Sequence, residues 1–220
     1  LRVREAFEMI EQATADLVVK KSRVTLSVTP TFAAKWLLPR LPLFAAKYPT
    51  IDLRIQASEG LADFYVDGVD MAVRQMKVPA SSKLQATLLL RHEAVVVCSP
   101  YVKRKIRVSA DLWKQRLLVD SHNLWPQLAQ KRGMPGVPTS TKTIQFNQTS
   151  LAIDAAVAGH GVALVARCFI ESDIEQRRLV VVGRQVVNDD TDFYLVAPFS
   201  LSVGSDAGVV WSWLKEQAGV

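Results

Sequence analysis

From Arg23 onward the chain alternates between two apolar rhythms, and this alternation limits its possible folds more than any other feature. Val24, Leu26 and Val28 take turns with polar residues, the period of a strand. Thr29-Pro30-Thr31 then opens a helix, with Thr29 able to cap it and Pro30 suited to its first position. Phe32, Trp36 and Leu37 supply the apolar side, Pro39 and Pro42 predict a kink with a fresh start, and Tyr48-Pro49 ends the segment. If Pro39 begins the new turn, the missing N–H of Pro42 falls among donors that a helix start leaves free in any case. Ile51, Leu53 and Ile55 form the next strand, a short helix is predicted over 62–67, and Met71-Ala72-Val73 make a third strand. Strand–helix–strand–helix–strand in so short a span predicts a mostly parallel sheet with both faces covered.

The alternation continues. Leu84–Leu90 and Ala94–Cys98 read as strands, and Ser99-Pro100 as a helix entry or a crossing point. A second unit follows, with strands at 117–119, around Ile144 and Phe146, at 162–165, at 179–182 and at 193–196. Its helices are predicted at 125–131 and 150–158, and an amphipathic helix at 209–217 carries Trp211 and Leu214. That closing helix needs an apolar surface to cover. The expected division is therefore residues 23–97 plus 198–220 as one unit and 98–197 as the other. Ahead of them, Val3, Phe7, Ile10, Thr14 and Leu17 follow the spacing of a helix seam. Pattern alone leaves open whether that seam pairs with another helix or packs on the domain. No capping residue precedes Leu1, which suggests a truncated helix.

About half of the 220 residues are apolar and 22% are charged, the profile of an ordinary globular protein. The net charge of +6 raises the question of nucleic acid, but the basic residues are scattered. Lys20, Lys21 and Arg23, then Lys103, Arg104, Lys105 and Arg107, then Arg177 and Arg178 read as solvated faces. No segment has the length and apolarity of a membrane span, and the charged opening lacks a signal core. Cys98 and Cys168 stand alone and give neither a disulfide framework nor a metal pattern, so a reducing cytoplasm is expected.

The sequence contains none of the catalytic motifs GxSxG, GxxxxGK[ST], HExxH or paired CxxC. Gly159-His160-Gly161 follows a helix and precedes a strand, the reverse of a dinucleotide loop, and reads as a helix cap with a tight turn. Two strand-to-helix junctions do stand out, Thr29-Pro30-Thr31 and Asn147-Gln148-Thr149-Ser150. Each combines hydroxyls or amides with the free N–H groups and partial positive charge of a helix start. Each is also explained by capping alone. Two of them in successive α/β units fit the two walls of a cleft.

Longer segments carry a resemblance. Val28 to Leu41, with Phe44 and Tyr48-Pro49-Thr50-Ile51, resembles the first strand and helix of LysR-type effector domains. The match is best to the subgroup typified by the activator of the glycine cleavage operon. Gly68-Val69-Asp70-Met71-Ala72-Val73-Arg74 resembles that family's G-x-D-x-A-I-R strand, and 155–164 its AA-x-x-G-x-G-V-A-L helix, turn and strand. The opening segment, residues 1–22, resembles the linker helix that leads to a winged helix-turn-helix. The resemblance spans essentially the whole chain. It implies a fold like periplasmic binding proteins of the second type: two Rossmann-like α/β units joined by two crossing strands. A small effector would sit between the units, with no cofactor or metal. The whole regulator would be a homodimer or tetramer that binds promoter DNA through a part not in this chain and contacts RNA polymerase.

The expected ligand-binding residues follow from the junctions and the resemblance together. They are Thr29, Pro30 and Thr31 at the first junction and Asn147, Gln148 and Thr149 at the second. Ser58 and Glu59 follow the second strand, Gln75 follows Arg74, and Phe64 or Trp125 supplies an apolar contact. Where the family commonly has Tyr-Gly after its Arg, this chain has Gln75-Met76-Lys77, so ligand identity does not transfer. Thr31→Val is expected to weaken ligand binding and leave folding stability nearly constant. Two rivals share the fold. A solute-binding protein would begin close to its first strand, and an enzyme would need a catalytic group that this sequence does not nominate.

Overall fold

The structure is a computed structural model that describes residues 23–60, 64, 67–78, 84–199, 201–202 and 204–220. The predicted seam at Val3–Leu17 lies outside these residues. So does most of the short helix predicted at 62–67, of which Phe64 is seen in a turn and Asp67 in a bend.

Among the described residues ten strands form two five-stranded sheets of matching design. The first sheet has the order β2-β1-β3-β10-β4, built from β1 (Arg23–Val28), β2 (Asp52–Ala57), β3 (Met71–Met76), β4 (Leu84–Leu90) and β10 (Asp192–Pro198). The second has the order β7-β6-β8-β5-β9, built from β5 (Ala94–Cys98), β6 (Leu117–Val119), β7 (Thr143–Gln145), β8 (Val162–Ala166) and β9 (Val180–Val187). In each sheet three strands run parallel. A fourth then enters antiparallel from the other half of the chain, β10 between β3 and β4, and β5 between β8 and β9.

The chain therefore crosses between sheets at 91–93 and again at 188–191. The boundaries expected at 97/98 and 197/198 each fall one strand late. Apolar runs such as Ala94–Cys98 declare a strand but not its neighbours, and pairing decides the sheet to which it belongs.

Among the described residues seven α-helices accompany the strands: α1 (Pro30–Phe32), α2 (Leu41–Lys47), α3 (Pro100–Lys103), α4 (Trp125–Lys131), α5 (Thr149–Val157), α6 (Glu171–Glu175) and α7 (Asp206–Ala218). Thr29 caps α1, its Oγ1 accepting the N–H of Phe32 at 3.4 Å. Between α1 and α2 the backbone stays helical through a π turn, Ala33–Leu37, and a 3-10 turn, Leu38–Arg40. The fresh start thus comes at Leu41 rather than Pro39, and Pro42 still falls where its N–H is not needed. Gly159 takes the left-handed conformation that ends α5, with φ +81°. At Gly161 a Cβ would stand 2.2 Å from the carbonyl oxygen of Arg116, so only glycine fits.

The closing helix α7 packs on the first sheet, against β1 and β4. Val210, Trp213 and Leu214 are buried there, and Trp213 meets Phe44 edge-on at 4.9 Å. One apolar core runs through both halves, from Val24, Leu26 and Phe32 to Leu118, Ile153 and Phe169. Alternate residues of β5 divide between cores: Val95 and Val97 face this one, while Ala94, Val96 and Cys98 face a second core with Trp113 and Trp125.

Candidate ligand-binding site

Where the two sheets meet, the ends of β1 and β3 face the loop after β6 across a cavity of about 190 Å³. Thr29, Thr31, Glu59, Arg74, Gln75 and Met76 line it from the first half, and Ser121, His122, Thr149 and Phe169 from the second. Phe193, on the strand that crosses back, completes the lining. The aromatic floor is a cluster: Phe193 lies 5.2 Å from Phe169 and 6.1 Å from Phe32.

Hydrogen bonds tie the walls together. The Thr31 hydroxyl accepts the Ser150 N–H at 3.1 Å and so caps the first turn of α5 from across the cavity. Thr149 donates its hydroxyl to Asp120 at 2.6 Å, and the other Asp120 oxygen accepts the N–H groups of His122 and Asn123. Further out, Lys35 pairs with Asp154, and Arg40 with Glu171 at 3.5 Å. Since the Thr31 hydroxyl holds the two halves together, Thr31→Val strips an acceptor from a part-buried N–H. With this bond in place, a loss of stability is expected where the sequence suggested nearly none. Urea titration should show a loss of about 0.5–1.5 kcal/mol for Thr31→Val and much less for Thr31→Ser, which keeps the oxygen. Equal stability of wild type and Thr31→Val would contradict the bond.

Arg74 is the unusual group. It is 5% exposed, yet among the described residues no carboxylate forms an ion pair with it. Its two terminal nitrogens donate to neutral oxygens: the carbonyls of Ser27, Val73 and Gly60 and the Ser27 hydroxyl, at 2.7–3.0 Å. Nε is buried with no partner. Burial lowers its pKa, and the negative charge of Glu59 works in the opposite direction. The guanidinium remains charged, so a positive field is held in the cavity wall by direct bonds to neutral oxygens, with Glu59 acting only at longer range.

Gln75 connects the cavity to the crossing segments. Its amide donates to Thr191 at 2.8 Å, Thr191 donates to Asp189, and Asp189 meets the His92 Nδ1 at 3.1 Å. Burial lowers the His92 pKa, with Asp189 opposing, so the ring is neutral near pH 7. The Asp189 carboxylate can only accept, so the Nδ1 carries the proton.

The other expected residues are placed differently. Pro30 serves as the first residue of α1 and does not line the cavity. The Ser58 hydroxyl accepts the Gly60 N–H, and Phe64 sits half-buried in its turn, neither of them in the lining. Asn147 lines an adjoining opening with Asp120, Asn123 and Gln145. Gln148 precedes α5 with its Oε1 buried and unpartnered. Trp125 is 2% exposed, packed edge-on against Trp113 in the second core, with its Nε1 donating to Leu118. It cannot contact a ligand in the cavity. Arg74, Ser121, His122, Met76, Phe169 and Phe193 were not anticipated. Two of them had a sequence signal: Arg74 ends the apolar run Met71-Ala72-Val73 within the G-x-D-x-A-I-R resemblance, and Met76 falls where the chain departs from the family's Tyr-Gly.

Among the described residues no His, Cys, Asp and Glu cluster could hold a metal ion. Burial pushes the thiols up, to about 11 at Cys98 and about 12 at Cys168, which leaves both protonated at neutral pH.

The family described as the LysR substrate binding domain matches residues 19–219. The chain belongs to this family. The LysR-type domain is 31% identical over 224 residues to the glycine cleavage system transcriptional activator of Escherichia coli K12, covering 99% of this chain and 73% of that protein. Among solved structures it resembles the effector domain of the transcriptional regulator AmpR of Pseudomonas aeruginosa, with a TM-score of 0.74 and 28% identity. That match covers 90% of this chain and 96% of the other. The AmpR effector binding domain of Citrobacter freundii is similar as well, at TM-score 0.74 and 25% identity over 90% of this chain and 98% of that one. The LysR-type domain is thus the effector-binding part of a transcriptional regulator, with a fold like periplasmic binding proteins, and its relatives are regulators rather than enzymes.

Proposed function

We propose that this LysR-type domain senses a small carboxylate-bearing molecule in the cavity between its sheets. The observation that carries the reading is Arg74, a buried cation in the cavity wall with no carboxylate partner among the described residues. Thr29, Gln75, Thr149 and His122 stand around it as adaptable polar groups, and Phe169 and Phe193 as the apolar contact. Residues 23–90 with 192–220 act as one unit and 94–187 as the other, hinged at the two crossings. The network from Gln75 to His92 carries occupancy of the cavity to that hinge. In the full regulator the domain works as a homodimer or tetramer in the cytoplasm. Promoter DNA is bound by a separate segment, and RNA polymerase reads the outcome. Sequence relatives that are transcriptional activators support this setting.

A thermal-shift screen of small carboxylates against their amides tests the reading. A ligand at a hundred times its Kd adds roughly 2.7 kcal/mol, a shift of several degrees for a chain of this size. Acids should raise Tm where their amides do not. Amides as effective as acids would remove the charge from the explanation.

A further inference from the structure

The basic run Lys103–Arg107 has no part in the cavity between the sheets, yet the fold gives it a second one. A separate cavity of about 230 Å³ lies on the second half, lined by Lys103, Ile106, Arg107, Ser109, Arg132 and Gln185 among others. None of its lining is shared with the first cavity.

Three elements bring the cations together. Lys103 ends α3 and donates to the Ile106 carbonyl at 3.2 Å, which bends the chain so that Arg107 follows on the same rim. Arg132 caps the end of α4, with its guanidinium 5.9 Å from the ring of Trp113 and one nitrogen donating to the Ser109 hydroxyl at 3.2 Å. The Arg132 Nε is buried and has no partner. Burial is the one influence that lowers its pKa, and no nearby acid opposes it. No acid lines the cavity. The nearest carboxylate in the sequence, Asp111, is already engaged by Lys114 and by the N–H groups of Arg107 and Val108. Among the described residues, none of the three cations has an ion-pair partner.

Three cations around a concave site, two of them forked donors beside a hydroxyl, form a receptor for tetrahedral oxyanions. A merely solvated basic face needs no cavity and would leave no buried, unpaired Nε. We propose that this cavity is a second ligand site, which binds a small molecule carrying a phosphate or diphosphate group. β9 runs from Val182 and Gln185 in its wall into the crossing at 188–191, so occupancy has a direct route to the hinge.

The test uses pyrophosphate and the 220-residue chain, followed by calorimetric titration at low salt. Arg107 is exposed and its replacement leaves the core intact, so Arg107→Gln is the primary variant. Arg132→Gln is the second, and Arg54→Gln, exposed on strand β2, is the control. Saturable binding is expected in the wild type, weakened at least about tenfold by Arg107→Gln or Arg132→Gln and unchanged by Arg54→Gln. Citrate should compete poorly. The proposal fails if pyrophosphate does not saturate, if Arg54→Gln weakens binding as much as the other two, or if citrate binds and pyrophosphate does not. None of these outcomes depends on the carboxylate reading of the first cavity, whose own ligands and Arg74 are untouched by the variants.

Discussion

Phe32→Ala should lower the stability of the whole domain by about 3–5 kcal/mol, the range for removing a fully buried aromatic ring. Phe32 is 0% exposed and sits at the joint between the halves. It lies 4.8 Å from Trp36 on the π turn that continues its helix, 6.4 Å from Phe169 of the second half and 6.1 Å from Phe193 on the returning strand. Its ring therefore holds three elements whose sequence separations span most of the chain. Alanine would leave a void bounded by rigid rings, which relaxes poorly, so the upper part of the range is expected. In a chain of this size, 3–5 kcal/mol corresponds to a fall in Tm of roughly 6–20 °C. The midpoint in urea should drop with little change in slope, since the surface exposed on unfolding barely alters. A loss below about 1 kcal/mol would mean that the halves do not depend on this joint.

The elements that proved legible in the sequence are those decided by neighbours along the chain. Thr29 caps because its own backbone is extended and the N–H of Phe32 lies three residues on. β5, β6 and α4 fall where their residues predicted, at Ala94–Cys98, Leu117–Val119 and Trp125–Lys131. What the sequence did not disclose depends on distant partners. Trp125 was expected beside a ligand, but a seven-residue helix has room for one buried face, and Trp113 decides which face that is. Thr31 had the right type for a ligand contact, yet its hydroxyl is taken by Ser150, 119 residues away. The crossings moved by one strand each for the same reason, since β5 and β10 look alike until their partners are known. Arg74 combines the two cases: its position in a strand was legible, but its lack of an ion-pair contact among the described residues is a property of the fold.

Arg74→Met should separate binding from folding. Methionine keeps an unbranched stem of similar reach and removes the charge and all five donors. Two opposed terms act on stability. Buried oxygens that lose their donor cost about 1–3 kcal/mol each, but the exposed Gly60 carbonyl can turn to water, and a cation no longer has to be held away from water. The net change should therefore stay modest. Binding has no such compensation. A carboxylate placed 4–8 Å from the guanidinium at an effective dielectric near 20 gains about 2–4 kcal/mol. Losing that gain weakens the acid roughly 30- to 1000-fold, while its amide, with no net charge, should bind nearly as before. Arg74→Lys keeps the charge without the fork and should restore part of the affinity. Glu59→Gln should shift affinity in the opposite direction, because it removes the negative charge that faces the same cavity. Calorimetric titration of the best acid from the screen against all four proteins provides the comparison. If Arg74→Met binds that acid as tightly as the wild type, the cavity does not recognise its ligand by charge, and Arg74 is only a strut between β1, β3 and the loop at Gly60.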